Sequence, residues 1–167
     1  MITRLPHDWA TCTIDTPLGE LRLAASPRGL AGAWFTTAQV DAPPDDGRPP
    51  SPEHPTLTQA RAALTAYFAG QAEPFDLALD LSCGTPFQQA VWEVLRRIPY
   101  GATRTYREIA TAIGRAQAVR AVGRAIGQNP LSIVIPCHRV LGSDGSLTGY
   151  AGGLDRKRAL LTLEGIR

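Results

Sequence analysis

Thr105-Tyr106-Arg107-Glu108-Ile109-Ala110-Thr111-Ala112-Ile113-Gly114, followed after a tight turn by a segment from about Gln117 to Gly127, decides the fold class of the second half of this 167-residue chain. Thr105 is a good helix cap and Gly114 a good stop, with Ile109, Ala110 and Ile113 directed inward between them. In the second segment Val119, Val122 and Ile126 recur at core spacing, and the opposite side carries Arg120, Gly123, Arg124 and Gly127. Two short helices joined in this way predict a helix-turn-helix unit. A glycine inside a helix costs roughly 1 kcal/mol relative to alanine, so two of them need a reason. Close approach of another backbone is one, and the neighbouring arginines favour a nucleic acid over a packed helix.

Outward toward the N-terminus, Thr85-Pro86 is an N-cap and first-turn pair. It opens a helix with Phe87, Val91, Val94, Leu95 and Ile98 as its apolar stripe, broken at Pro99-Tyr100-Gly101. Toward the C-terminus come Asn129-Pro130, an apolar strand-like run from Leu131 to Ile135, and Pro136-Cys137-His138-Arg139-Val140. A glycine-rich loop (142–153) and an amphipathic helix from Leu154 to Glu164, closed by Gly165, complete this half. The first half is different in kind. Trp9 to Ile14, Leu18 to Ala25 and Gly29 to Phe35 read as short strands separated by turns. Asp41 to Pro55 holds six of the fourteen prolines and predicts an extended, exposed loop. Thr56 is the expected cap of a helix with Leu57, Ala60, Leu64 and Phe68 on one face, ending at Gly70, and Phe75 to Leu81 alternates as a strand. The expectation is an α/β domain over 1–81, followed by a helical domain over 84–167.

The formal net charge of +2 conceals a division. From Gly84 onward there are twelve basic residues against five acidic ones, whereas Met1 to Cys83 holds five against ten. Such asymmetry points the second half at a polyanion. No run approaches the roughly 18 apolar residues of a membrane span. Met1 to His7 lacks an apolar signal-peptide core, so a cytoplasmic location is expected. Cys12, Cys83 and Cys137 cannot all pair within one chain, which predicts reduced thiols. There is no CxxC or HxxxH spacing, and a zinc site would need scattered ligands such as His7, Cys12, His54 and Cys83, so no metal is expected. Neither a GxGxxG after a strand nor a P-loop occurs, and no cofactor is expected.

The chemistry concentrates at Cys137-His138. A thiolate is a strong carbon-directed nucleophile, and a neighbouring imidazole is the usual means of making one at neutral pH. Adjacent residues on extended backbone point to opposite faces, so cooperation needs a bridging water or a bend at Pro136.

Pro136-Cys137-His138-Arg139-Val140, Arg120-Ala121-Val122-Gly123, Asn129-Pro130 and Gly149-Tyr150-Ala151-Gly152-Gly153 together resemble the O6-alkylguanine-DNA alkyltransferases. The match runs from about Thr85 to Gly165; the first half resembles the family only in length and in Tyr67-Phe68-Ala69-Gly70. The absence of an added regulatory module resembles the stand-alone, constitutive bacterial type. The resemblance implies a ribonuclease-H-like sheet domain followed by a helical, winged-helix-like domain. Its helix-turn-helix would enter the minor groove of double-stranded DNA with Arg120, Ala121, Gly123, Arg124 and Gly127. The alkylated guanine would be flipped into a pocket while Arg120 takes its place in the duplex.

By the same resemblance Cys137 attacks the alkyl carbon, His138 ionises it through a water, and Glu164 orients the imidazole. Asn129 braces the active-site turn, and Tyr106 crowds the flipped nucleotide's phosphate and helps protonate the leaving guanine. The implied pocket comprises Pro136, the Val140 carbonyl, Gly149, Tyr150, Ala151 and Gly152; because the loop carries only Ala and two Gly beyond Tyr150, room for groups as large as benzyl is expected. A thioether product has no route back to the thiol, so one transfer per molecule is expected, from O6-alkylguanine and also from O4-alkylthymine. The protein is expected as a monomer, with cooperative binding along DNA left open. A non-catalytic lesion binder would lack Cys137, a helix-turn-helix regulator would leave Pro136 to Arg139 without purpose, and a cysteine hydrolase would turn over.

Overall fold

A computed structural model describes residues 4–72 and 74–166; Met1 to Thr3 of the N-terminal stretch lie outside the described residues. Three antiparallel strands, β1 (Ala10–Thr16), β2 (Gly19–Ser26) and β3 (Gly29–Phe35), form a sheet in the order β1-β2-β3. β3 is buried along its whole length. Its outer edge receives two distant segments instead of a fourth strand: Leu30 bridges Leu79, and Ala33 bridges Leu131, both in parallel sense. Gly29 permits the first contact, because a Cβ there would sit 2.5 Å from the Ala78 carbonyl oxygen. The strand expected over Phe75 to Leu81 is thus reduced to one bridge, since a single register point on β3 is available to it.

Helix α1 (Pro55–Phe68) covers the sheet through Leu57, Ala60 and Leu64. Its cap is His54 rather than Thr56: the imidazole Nδ1 accepts from the Thr56 amide at 3.2 Å, and Pro55 takes the first helical position. The helix ends at Phe68, two residues before Gly70. The proline-rich loop is extended but tethered. Arg48 donates to the carbonyls of Leu5, Pro6 and Trp9 and pairs with Asp46, which also meets Arg22.

The second half contains α2 (Pro86–Arg96), α3 (Tyr106–Ala112), α4 (Val119–Gly127) and α5 (Leu154–Leu163), with a two-stranded parallel pair, β4 (Arg104–Thr105) and β5 (Val140–Leu141). Thr85 and Thr105 each form a full capping box, with Gln88 and Glu108 respectively. Helix α4 starts at Val119, two residues later than expected, because a turn closed by the Ala118 amide on the Arg115 carbonyl at 2.8 Å takes up the residues before it. Trp92 completes the stripe of α2 and donates its indole N–H to the Ala125 carbonyl of α4 at 2.8 Å. One continuous apolar core runs from the sheet through α1 to α2, α3 and α4. No helix among the described residues is long and apolar enough to cross a membrane.

Candidate active site

Leu131 to Ile135 is not a strand. After the bridge at Leu131 the chain turns, with Ile133 fully buried at a φ of 73°. A β-branched residue in the left-handed region carries strain of roughly 1–3 kcal/mol, which the surrounding contacts must offset. Asn129 supplies several. Its Oδ1 accepts from the Leu131 amide at 2.9 Å, and its Nδ2 donates to the Ile135 carbonyl at 2.8 Å and lies 3.2 Å from Cys137 Sγ. Cys137, His138 and Arg139 then form one turn of 3-10 helix, all three buried. This compact turn replaces the extended backbone on which Cys137 and His138 would face opposite ways.

Behind the turn, Glu164 collects donors. It caps the C-terminus of α5, and Gly165 follows with a φ of 81°. Its Oε2 receives His138 Nε2 at 2.5 Å, the Tyr67 hydroxyl at 2.7 Å and Arg139 Nη2 at 3.2 Å. Its Oε1 receives Arg139 Nε at 2.7 Å and the Gly101 amide at 3.1 Å. Burial by itself would raise the carboxyl, but the His138 and Arg139 hydrogen bonds outweigh it and hold Glu164 down at about 2. An ionised carboxylate can only accept, which assigns the imidazole proton to Nε2. Nδ1 is then the basic atom, and it is buried with no hydrogen-bond partner among the described residues.

The thiol has the opposite environment. Burial pushes Cys137 up to about 11 against the Asn129 hydrogen bond and the Lys157 charge. Burial likewise lowers His138 against the pull of Glu164. At neutral pH the pair rests as thiol and neutral imidazole.

Cys137 borders a cavity of about 100 Å³ between Gly123, Ile126 and Gly127 of α4 and Gly149, Tyr150 and Ala151 of the glycine-rich loop, with Tyr106 alongside. Arg120, Ala121, Arg124 and Gly127 are exposed on α4, and Gly123 is half-buried against the Tyr106 ring. The basic helix face and the thiol therefore share one opening. The Tyr106 hydroxyl donates to the Thr148 carbonyl at 2.7 Å. Lys157, fully buried, donates to the carbonyls of Val140 at 2.6 Å, Thr148 at 3.1 Å and Gly149 at 3.2 Å. Burial lowers its ammonium to about 8, against the pull of Cys137.

Three expected pocket residues lie elsewhere. Pro136 lines a separate cleft of about 650 Å³ with Tyr67, Tyr100 and Arg139. Val140 is not among the residues lining the Cys137 cavity, and its carbonyl accepts from Lys157 with one lone pair, which leaves the other free. Gly152 is buried, and a Cβ there would come within 3.0 Å of Tyr150 and 3.1 Å of Phe35, so it packs between those rings and is not among the residues lining the Cys137 cavity. Sequence reading missed Tyr67, Arg139 and Lys157. The first two were visible only as parts of motifs, and a lone lysine among arginines in a helix carries no spacing signal.

Two family models match the chain: "6-O-methylguanine DNA methyltransferase, ribonuclease-like domain" over residues 11–81, and its "DNA binding domain" over residues 86–166. The chain is 48% identical to the methylated-DNA–protein-cysteine methyltransferase of Methanosarcina barkeri, covering 90% of this chain and 94% of that one. It is 44% identical to the constitutive enzyme of that name from Bacillus subtilis, covering 89% and 90%. Among solved structures, Mycobacterium tuberculosis OGT in complex with DNA superposes with a TM-score of 0.84 at 48% identity, over 94% of this chain and 92% of that one.

Proposed function

The chain belongs to the O6-methylguanine-DNA methyltransferase family, and from that premise we propose that it repairs DNA by moving the alkyl group of O6-alkylguanine onto Cys137. The observation that carries this reading is the buried thiol at the cavity edge, with Asn129 on its sulfur and the neutral His138 bonded to the ionised Glu164 beside it. In the proposed scheme His138 Nδ1 takes the Cys137 proton through one bridging water. The imidazolium is stabilised by Glu164 and does not pass its proton on, because that carboxylate is held far below neutral. The sulfur lone pair forms the S–C bond as the C–O6 bond breaks, and the electron pair stays on the guanine, which takes a proton at the ring from the Tyr106 hydroxyl; the phenolate regains a proton from solvent, into which the imidazolium later releases the one taken from the thiol. The product is a thioether and an unmodified base. A thioether sulfur has no proton to lose and no good leaving group, so each molecule acts once.

Access to the flipped base falls to α4. Its basic face suits the phosphates of double-stranded DNA, and Gly123 and Gly127 let a minor-groove backbone approach the cavity mouth. Arg120 would occupy the vacated stack, and Tyr106 would exchange Thr148 for the nucleotide. We read the chain as two domains, 1–81 and 84–167, acting as a cytoplasmic monomer without metal or cofactor. O4-alkylthymine offers the same alkyl–oxygen bond and is included as a substrate.

The test is transfer of radiolabel from a duplex carrying O6-methylguanine to the protein. Wild type should take up at most one label per chain. Cys137→Ser should take up none while keeping its duplex affinity, because a serine hydroxyl is a far weaker nucleophile toward alkyl carbon. Label on Cys137→Ser would remove Cys137 from this role.

A further inference from the structure

Tyr67-Phe68-Ala69-Gly70 is the one motif of the first half that the transfer scheme leaves without a task. Tyr67 sits in the last turn of α1, 97 positions before Glu164, yet its hydroxyl ends on that carboxylate. The ring is 3% exposed and wedged among Phe68, Phe75 and Tyr100 at centroid distances of 5.3, 5.7 and 6.1 Å. These three rings hold it in place, and the 2.7 Å bond to Oε2 is part of that packed arrangement. The oxygen it meets is the one that receives His138 Nε2.

We propose that Tyr67 is a positioning residue for alkyl transfer: by donating to the carboxylate oxygen that faces the imidazole, it limits how firmly Glu164 holds a proton on His138. The inference rests on the His138–Glu164 relay of the proposed function. A carboxylate oxygen shared by several donors spreads its charge among them, and each added donor weakens the acceptor seen by the others. Without the phenol, Oε2 keeps only His138 and the longer Arg139 contact. The other groups acting on the imidazole are Arg139 and Lys157, both cationic; Cys137 is its neighbour in the chain, and Tyr100 lies against Tyr67 and Arg139. None of these changes when the Tyr67 hydroxyl is removed. Glu164 then favours the imidazolium more strongly, and His138 becomes a stronger base.

The readout is the pH dependence of single-turnover transfer from an O6-methylguanine duplex, whose acid limb reports protonation of His138. Tyr67→Phe should move that limb up by roughly half to one pH unit, about half of the one to two units that a whole hydrogen bond to a charged group is worth, because the phenol acts on His138 only through Glu164, with the plateau rate preserved within about threefold. Replacing Tyr67 with 3-fluorotyrosine, a stronger donor of the same shape, should move the limb down. A role in packing alone would lower the rate evenly across pH and leave the limb in place, which overturns the proposal. Should Tyr67→Phe fail to fold, the fluorotyrosine protein decides by itself, an unmoved limb there being the overturning result. Glu164→Gln separates the two levels. If it shifts the limb and the Tyr67 variants do not, only this proposal falls; if it too leaves the limb unmoved, the relay falls with it.

Discussion

The two sides of the turn at 137–139 obey opposite electrostatic rules. On the cavity side the Cys137 sulfur has one side-chain neighbour donating to it, Asn129, and a wall of glycine and apolar surface, so its charged form is disfavoured. On the far side Glu164 has donors from Tyr67, His138, Arg139 and the Gly101 amide, so its charged form is strongly favoured. Both groups are buried, so burial is not what separates them. The difference is the number of donors aimed at each. A nucleophile left poorly solvated is a neutral thiol at rest and reacts only as its proton leaves. In the proposed scheme the relay that receives the proton is prepared in advance, which lowers the reorganisation needed during transfer.

The far side is where a single change should do most harm. Glu164→Gln leaves the buried Arg139 and His138 without their anion, and breaking a buried pair in this way costs about 3–5 kcal/mol. Transfer should fall by at least about a hundredfold, the usual worth of a positioned acid–base partner. The pH dependence of stability sharpens the point. Glu164 lies below its ordinary value in the folded protein, and so does His138. Both contributions are therefore complete above the unfolded values and are lost as pH falls through the folded ones. Denaturation midpoints of wild type should decline as pH drops below that of an ordinary histidine and fall further between that of an ordinary carboxylate and about 2. Glu164→Gln should start lower and lose the steeper, more acidic part of the decline. A variant curve parallel to wild type would mean the cluster is not held by this charge.

The cavity side should be sensitive to access more than to charge. Arg120 lies exposed on α4, three residues before Gly123, which borders the Cys137 cavity. Arg120→Ala should slow transfer from duplex DNA by about tenfold or more, the cost of one lost contact to the extrahelical state, while reaction with the free alkylated base changes little. Equal losses on both substrates would move Arg120 from base flipping to the fold or the chemistry. The smallest effect should come from Gly123. A Cβ at this position meets only the Tyr106 ring, at 3.7 Å, which is ordinary contact. Gly123→Ala should raise stability by about 0.5–1 kcal/mol, as expected for glycine replaced inside a helix. It should still slow duplex repair severalfold, because the added methyl stands at the cavity mouth. A variant that is both more stable and fully active would show that this side has room to spare.

The sequence by itself determined whatever depends on neighbours along the chain. Threonine caps at Thr85 and Thr105, the glycine stop at Gly114, the three strands of the sheet and the apolar faces of α2, α3 and α4 follow from spacing, and they stand within a residue or two of their expected places. The Cys137-His138 pair and the basic face of α4 were legible for the same reason, because each is contiguous or falls on a single helical period. Glu164 was identifiable only through family resemblance, since a glutamate at a helix end is ordinarily a surface residue. What the tertiary structure decided is every partner fixed by long-range closure. Tyr67 reaches Glu164 across 97 positions, Lys157 ties Val140 to the glycine-rich loop, and Leu131 turns away from a strand because β3 offers it one register point. A residue pattern encodes which face is apolar, but not which distant polar group will be waiting beneath it. For buried charges that missing partner decides whether the group is ionised, and so what it can do.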